Sequence, residues 1–224
     1  MHARAVIQQL RDGPLPDYKT LLAGDDFTSI DTETTGLDWT VHDMLQFGGI
    51  RINGAGAPTG NQLGFLVRPR VPVGESSRIH ARTNEELASH PDLTGYAGRL
   101  SAYLKGRTIV AHQADFDVGH INAAYKRRDL RPPVIKAVIC TKSLFQHLFP
   151  GRPSSLDPVC DFLGLSFPNR DGKHDAVDDA VRCAAVFGAL RRIWLERHAD
   201  QVAQTAIENT EIEIVADASA AEGE

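Results

Sequence analysis

Two acidic residues, separated by one residue, end a segment whose pattern indicates a strand entering the core. Asp31 and Glu33 close the segment FTSIDTE, residues 27–33, which begins like a β-strand. Residues two apart on a strand project from the same face, so both carboxylates point to one place and repel each other unless a cation lies between them. The pair also fits a polar strand end before a turn, and it does not decide between these interpretations by itself.

Helical spacing distinguishes the two acids of a second pair, Asp115 and Asp117. The segment DFDVGHINAAYKRRD, residues 115–129, predicts a helix, and Ile121 and Ala124 follow Asp117 on its apolar face. The same steps from Asp115 lead along the polar face, so Asp115 is expected at the surface and Asp117 inside. A buried acid needs a partner, which is either a cation or the backbone N–H groups of the helix start.

The segment KHDAVDDA, residues 173–180, predicts the start of a long closing helix. Asp175 and Asp178 have capping-box spacing, so the helix is expected to begin near Ala176. His174 then precedes the helix on a glycine-containing loop, where its side chain is free to turn.

Helical spacing also indicates which of two adjacent acids of this helix, Asp178 or Asp179, faces the core. The steps from Asp179 give an apolar, core-facing stripe: Cys183, Val186, Leu190 and Ile193. The steps from Asp178 give a stripe expected to face solvent with an i,i+4 ion pair: Arg182, Ala185, Ala189 and Arg192. Asp179 is therefore predicted to be the inward-facing acid.

The inward-facing acids come from three separate elements and share a histidine neighbour. They are Asp31, Glu33, Asp117 and Asp179, with His174 beside the last. Several hard oxygen ligands suit Mg²⁺ or Mn²⁺ rather than zinc, and two such ions would form a clamp for in-line attack on a phosphodiester. A histidine near its ordinary pKa can take the proton of the attacking water. These residues predict metal-dependent phosphodiester hydrolysis.

The same residues carry a family resemblance. The motifs DTETTGL (31–37), AHQADFD (111–117) and HDAVDDA (174–180) resemble those of the DEDDh 3′–5′ exonucleases in the ribonuclease H-like superfamily, especially the group of the proofreading epsilon subunit of bacterial DNA polymerase III. The resemblance covers roughly residues 26–195. It implies two metal ions on the four acids, His174 as general base, and a single-stranded 3′ end as substrate.

The resemblance also implies which residues meet the terminal nucleotide. These candidates are Thr34, Thr35, Leu37, His80, Gln113 and Phe116. Core packing is an alternative for Leu37 and Phe116, and a structural hydrogen-bonding role is an alternative for His80 and for His112. Three positions depart from the family pattern: Gln113 stands where relatives usually have Asn, Gln46 where the second strand often has Glu, and Ala81 where a loop usually has Gly.

Composition limits the remaining classes of function. The chain has 224 residues and a net charge of −5, which argues against coating nucleic acid through bulk charge but not against gripping one strand end. No apolar run has membrane-spanning length, and the N-terminus lacks the apolar core of a signal peptide. The cysteines are odd in number: Cys140, Cys160 and Cys183. They are expected to be buried, reduced thiols in a cytoplasmic protein.

The element order predicts an α/β fold. Three consecutive strands suggest an antiparallel meander, and later strands alternating with helices suggest parallel pairing, which together give a mixed sheet flanked by helices. A helix is expected from about Pro91 to Gly106. We expect an N-terminal helical extension at 1–25, an exonuclease domain at 26–199 and an acidic, flexible tail at 200–224.

Three functions remain open on the sequence. The first is removal of nucleotides from DNA 3′ ends in proofreading or repair, with a polymerase or another replication or repair protein as a possible partner. RNA 3′-end trimming is the second, and a non-catalytic nucleic-acid-binding scaffold is the third. A scaffold that had lost activity is expected to lack at least one of the five residues His174, Asp31, Glu33, Asp117 and Asp179, and all five are present.

Overall fold

A five-stranded mixed sheet forms the centre of the computed structural model, which describes residues 17–199. The strands are β1 (Phe27–Thr34), β2 (Met44–Ile52), β3 (Leu63–Leu66), β4 (Thr108–Ala111) and β5 (Ala137–Cys140). Their order is β3-β2-β1-β4-β5, with antiparallel pairing among the first three and parallel pairing from β1 through β4 to β5. The predicted meander with added parallel strands is confirmed.

Helices cover both faces of this sheet. They are α1 (Tyr18–Leu22), α2 (Ser77–His80), α3 (Asn84–Ala88), α4 (Ala97–Leu104), α5 (Ala114–Lys126), α6 (Thr141–Leu148), α7 (Leu156–Phe162) and α8 (Ala176–Arg197). One core lies between the sheet and α4 and α5, and the other lies between the sheet and α1, α6, α7 and α8. Residues 1–16 and 200–224, which include most of the predicted N-terminal extension and the acidic tail, lie outside the described residues.

The predicted helix from Pro91 to Gly106 is shorter than expected. The side chain of Asp92 accepts a hydrogen bond from the backbone N–H of Thr94, and this cap starts a 3₁₀ turn at Leu93–Gly95 instead of an α-helix. Helix α4 begins only at Ala97. The predicted end is confirmed, because Gly106 follows the helix with a φ of 69°.

The start of α8 agrees with its predicted cap. The Asp175 side chain accepts hydrogen bonds from the backbone N–H groups of Val177 and Asp178. This end of the helix lies directly on β2, because a Cβ at Gly48 would lie 2.1 Å from the carbonyl oxygen of Ala176. A side chain at position 48 would therefore push α8 away from the sheet.

All three cysteines are buried and free, as the sequence predicts. Between residues 17 and 199, none of the helices combines the length and apolar character needed to cross a bilayer.

Ala81 is one of four non-glycine residues between residues 17 and 199 whose backbone conformation favours glycine. Ala81 ends α2 with a φ of 58°. The left-handed conformation costs a non-glycine residue about 1–2 kcal/mol, of which the greater freedom of glycine in the unfolded chain gives back roughly 0.4–1 kcal/mol. We expect Ala81→Gly to raise the free energy of unfolding by about 0.5–1 kcal/mol in urea denaturation.

The matched control for this substitution is Ala88→Gly at the end of α3. Ala88 is exposed and helical, so the same chemical change there is expected to lower stability by about 0.5–1 kcal/mol. Equal losses at the two positions would show that the left-handed backbone of Ala81 carries no cost.

Candidate active site

The acids of β1 lie where the sheet opens. Parallel pairing between β1 and β4 covers only Phe27–Ser29 of β1, so Asp31 and Glu33 lie beyond it. The register with β2 also shifts between Glu33 and Thr34. The carboxyl ends of parallel strands form a crevice, and here helices α5 and α8 bring Asp117 and Asp179 to its edge.

A cleft of about 700 Å³ occupies this position. Every residue selected from the sequence as catalytic, metal-binding or substrate-binding lines it: Asp31, Glu33, Thr34, Thr35, Leu37, His80, Gln113, Phe116, Asp117, His174 and Asp179. Residues that are 148 positions apart in the chain thus share one cavity, Asp31 and Asp179 being the outer pair of acids.

Three of these side chains form the tightest group of possible metal ligands among residues 17–199. One ligand atom each of Glu33, His174 and Asp179 lies within 4.8 Å of the other two. His174 Nδ1 is 2.8 Å from Asp179 Oδ2. Asp31 and Asp117 line the same cleft outside this group, and Asp117 Oδ1 accepts a hydrogen bond of 2.9 Å from the Thr32 hydroxyl.

Burial makes the ionised acids costly. It raises the pKa of Glu33 to about 7 and that of Asp117 to about 8, and it raises the pKa of Asp31 well above its usual range, with further contributions from the neighbouring carboxylates. Glu33 Oε1 is buried without a hydrogen-bond partner. An unpaired buried oxygen among crowded carboxylates fits a site for a hard divalent cation.

These pKa values predict how the metal-free protein responds to pH. Glu33 and Asp117 hold protons in the folded state that they release in the unfolded state, so stability falls as pH rises through their folded pKa values. The raised pKa of His174 acts in the same direction, through its bond to Asp179. The lowered pKa values of His112 and His120, about 4, affect stability only at lower pH.

We therefore expect the melting temperature in EDTA to fall between about pH 6.5 and about pH 8.5. Mg²⁺ is expected to restore most of the loss, since a cation stabilises the ionised acids. Thermal denaturation followed by circular dichroism measures both effects. A melting temperature that rises across this range in EDTA would show that the acids are already ionised and compensated in the folded chain.

The ranking of the two adjacent aspartates agrees with the structure, but the predicted stripe beside Asp178 is partly wrong. The Asp179 side chain is 4% exposed and the Asp178 side chain is 40% exposed. Arg182, expected to face solvent, is buried: its Nε lies 2.7 Å from Asp178 Oδ2, and its guanidinium lies over the Phe167 ring. The loop before α8 covers this arginine, and helical spacing carries no information about that loop.

The apolar candidates of the cleft are placed differently from each other. Leu37 is 80% exposed, which excludes core packing for this side chain. The ring of Phe116 is half-buried, with its centroid 4.5 Å from that of buried His120. Behind Leu37, His120 Nε2 lies 3.4 Å from the Leu37 carbonyl oxygen. The Leu37–Phe116 side of the cleft is thus an apolar wall supported by one histidine.

The polar candidates are fixed by hydrogen bonds. The Thr34 hydroxyl donates to the Gly36 carbonyl at 2.8 Å, and Thr35 Oγ1 accepts from the backbone N–H of Asp43 at 3.0 Å. His80 is buried, and its Nδ1 accepts from the backbone N–H of Arg82 at 3.1 Å. His112 likewise bonds to Thr141 and to the Ser154 carbonyl. Both histidines therefore have the structural bonds that the sequence left open for them.

Part of the cleft was missed by sequence reasoning. Its far wall contains the segment at 72–76 and Ile79, which is 50% exposed, and the cleft is further lined by His42 and Leu156. The segment RVPVGES, residues 70–76, contains only turn-like proline and glycine signals. Its position opposite the acids follows from tertiary contacts such as the 2.9 Å bond from the His174 N–H to the Ile79 carbonyl.

Comparison with known proteins identifies the family of the chain. The exonuclease family model (RNase_T) matches residues 28–187. The chain belongs to the exonuclease family. The exonuclease is 30% identical over 166 residues to DNA polymerase III subunit epsilon of Pasteurella multocida and 28% identical over 166 residues to that of Haemophilus influenzae, with 70% of this chain covered in each case. The alignments cover 65% and 64% of those relatives, which is just under two thirds of their length.

Solved structures give the exonuclease its fold class. Exonuclease X in complex with 5′ overhanging duplex DNA matches 75% of this chain and 92% of that chain at 25% identity and a TM-score of 0.57. The nuclease domain of 3′hExo, a DEDDh family member bound to rAMP, matches 77% and 93% at 17% identity and a TM-score of 0.63. Escherichia coli exonuclease I with a dT13 oligonucleotide matches 79% and 43% at 16% identity and a TM-score of 0.66. The predicted ribonuclease H-like fold is confirmed.

Two of the three departures from the family pattern have a conformational meaning in this exonuclease. Gln113 has a φ of 77°, a conformation that asparagine tolerates better than glutamine, and Ala81 has the left-handed backbone described above. At the third position, Gln46 Nε2 donates to Asp175 Oδ2 at 2.8 Å, where a glutamate would repel the cap of α8. Gln46 is thus matched to the acid beside His174.

Proposed function

We propose that this exonuclease removes nucleotides from the 3′ end of single-stranded or frayed DNA by metal-dependent hydrolysis of the phosphodiester bond. The observation that carries the proposal is the convergence of Asp31, Glu33, Asp117, Asp179 and His174 in one cleft. We take residues 26–199 as the unit that performs the reaction, which includes the whole segment matched by the family model.

The donor set supports a pair of Mg²⁺ or Mn²⁺ ions. Five carboxylates and no thiolate line the cleft within residues 17–199, and one of the five, Glu75, is exposed and paired with Arg78. Burial with mutual repulsion makes the ionised forms of Asp31 and Glu33 unfavourable without a metal. We assign Asp31, Glu33, Asp117 and Asp179 as the ligands. Bound divalent ions would lower the pKa of an attacking water and stabilise charge on the phosphate oxygens.

His174 is assigned as the general base. Its Nδ1 faces Asp179 Oδ2 at 2.8 Å, an arrangement in which the carboxylate orients the ring and leaves Nε2 to accept the proton of water. The bond to Asp179 raises the pKa of His174, which increases the basicity of the ring. Gly172, with a φ of 71°, forms part of the turn two residues before the histidine.

The remaining walls are assigned to the substrate. Leu37 and Phe116 supply apolar surface for the terminal base, and bases stack on such surfaces with little regard to sequence. Thr34, Thr35, His80 and Gln113 supply polar groups near the sugar and phosphate. Contacts to backbone and base faces carry little sequence information, so we expect digestion of many sequences.

The relatives favour DNA and a replication or repair partner. Two of them are named as subunits of DNA polymerase III, and exonuclease X and exonuclease I were solved with DNA. We therefore propose a polymerase or another replication or repair protein as partner. RNA trimming is the second candidate, because 3′hExo, similar in fold, was solved with rAMP.

The decisive experiment is digestion of matched DNA and RNA oligonucleotides carrying the label at either end, with Mg²⁺, with Mn²⁺ and with EDTA. We expect stepwise shortening of DNA from the 3′ end with either metal and none in EDTA. Undiminished digestion in excess EDTA would exclude the metal mechanism. Preferred shortening of RNA would support the second candidate, and binding of DNA without digestion would support a scaffold.

A further inference from the structure

A network of charged side chains lies directly behind the cleft. We call it the arginine–aspartate network, and its members are Arg170, Arg182, Asp157, Asp178 and Asp179. It joins the loop before α8 to helices α7 and α8. Asp179 is its only member that also lines the cleft, so the network reaches the proposed metal site through that one carboxylate.

Both oxygens of Asp179 are held by protein groups. The Arg170 guanidinium forms an ion pair with Oδ1, and His174 Nδ1 lies 2.8 Å from Oδ2. Arg170 is held in turn by Asp157 on α7, whose Oδ1 lies 2.7 Å from Arg170 Nη2. Arg182 Nε lies farther away, at 4.0 Å from Asp179 Oδ1. Arg170 is therefore the main contact on the side of the carboxylate that faces away from His174.

Arg170 is itself restricted in position. Its side chain is 11% exposed, so water competes little for its ion pairs. Its backbone begins a turn in which Lys173 N–H donates to the Arg170 carbonyl at 2.8 Å. A planar guanidinium that bonds two carboxylates fixes their relative orientation, which a lysine ammonium does not do.

The charges of the network explain why Arg170 need not repel a cation. Two arginines and the two aspartates Asp157 and Asp178 cancel in formal charge, which leaves the charge of Asp179 for the cleft. The effect of Arg170 on a cation bound at Asp179 is thus mainly geometric. Arg170 in this respect resembles the outer-shell residues that orient metal ligands, and loss of such residues typically weakens metal binding.

We propose that Arg170 is a positioning residue that orients Asp179 for metal binding and is itself aimed by Asp157. The inference rests on the proposed function, because it takes Asp179 as a metal ligand. Helical spacing and family motifs give no sign of it, since Arg170 lies on the loop before His174 and outside the three motifs.

Mn²⁺ binding to the full chain, measured by isothermal titration calorimetry without nucleic acid, tests this role. Arg170→Gln removes a positive charge, Asp157→Asn removes a negative charge, and Arg170→Lys keeps the charge but loses the planar fork. If position matters, all three variants are expected to bind Mn²⁺ more weakly, by about 10-fold for Arg170→Gln. If only charge matters, Arg170→Gln binds more tightly than wild type, Asp157→Asn more weakly, and Arg170→Lys equally.

Arg192→Gln is the matched control, because it makes the same charge change at an exposed position of α8. We expect wild-type Mn²⁺ affinity for it. Tighter binding by Arg170→Gln, or wild-type affinity in all variants, would overturn the inference while leaving the proposed function intact. If wild type shows no Mn²⁺ binding, the proposed function fails and the inference fails with it. Cooperative melting of each variant establishes that it is folded, and Arg170→Lys answers the question if Arg170→Gln does not fold, because it is expected to bind Mn²⁺ more weakly only if position matters.

Discussion

Asp179→Asn is expected to lower the rate of 3′-end digestion by more than about 100-fold, because it removes the charge of a proposed metal ligand. Loss of an outer-shell partner typically costs only about 10- to 100-fold. Asp178→Asn is expected to lower the rate far less than Asp179→Asn, because the Asp178 carboxylate pairs with Arg182 and does not line the cleft. Asp178 is 40% exposed, and its ion pair with Arg182 and its place in the first helical turn are together worth about 0.3–1 kcal/mol.

The two substitutions control each other, since they make the same chemical change at adjacent positions of one helix. Initial rates on one labelled DNA strand and melting curves with and without Mg²⁺ are the measurements. We expect Mg²⁺ to stabilise Asp178→Asn as it does wild type and to stabilise Asp179→Asn less. A dead Asp178→Asn enzyme beside an active Asp179→Asn enzyme would contradict the assignment of the inward-facing acid.

His174→Ala is expected to lower kcat by about 10²- to 10⁴-fold, the usual contribution of a positioned general base. The four carboxylates remain in this variant, so Mg²⁺ should still raise its melting temperature. Single-turnover rates and thermal melting measure the two effects separately.

His147→Ala is the control for the loss of a histidine, because His147 is exposed on α6 and lies outside the lining of the cleft. It is expected to retain the wild-type rate. If His174→Ala retains that rate as well, another group takes the proton, and the role of His174 is limited to its bond with Asp179.

Local patterns were sufficient to find the acids. Strand alternation put Asp31 and Glu33 on one side, and helical spacing separated Asp117 from Asp115 and Asp179 from its neighbour. Those patterns report which side of an element is buried, and a metal site built on rigid elements uses the buried side. The cap at Asp175 was also predictable, because capping depends on residues within one turn.

What was missed depends on contacts between distant segments. Arg182 was assigned to solvent because its own helix shows nothing of the loop that covers it. Arg170 and the wall around Ile79 lie on irregular segments whose positions follow from ion pairs and backbone bonds across the cleft. The start of α4 was wrong because the side-chain cap of Asp92 competed with a helix that proline and glycine signals favoured.

The contact of α8 with β2 at Gly48 gives the cleft a rigid side, and the segment that carries Ile79, which we call the attached segment, forms its other side. Asp31, Glu33 and Asp179 lie on elements joined by strand pairing and close backbone contact. The segment that carries Ile79 is instead held near His174 by the Ile79 carbonyl bond and by the 2.8 Å ion pair between Arg82 and Asp175. Substitutions in the attached segment can therefore reshape what the cleft accepts without disturbing the carboxylates. In evolutionary terms, changes in the wall around Ile79 can alter which strand ends the cleft accepts while the hydrolytic chemistry stays the same.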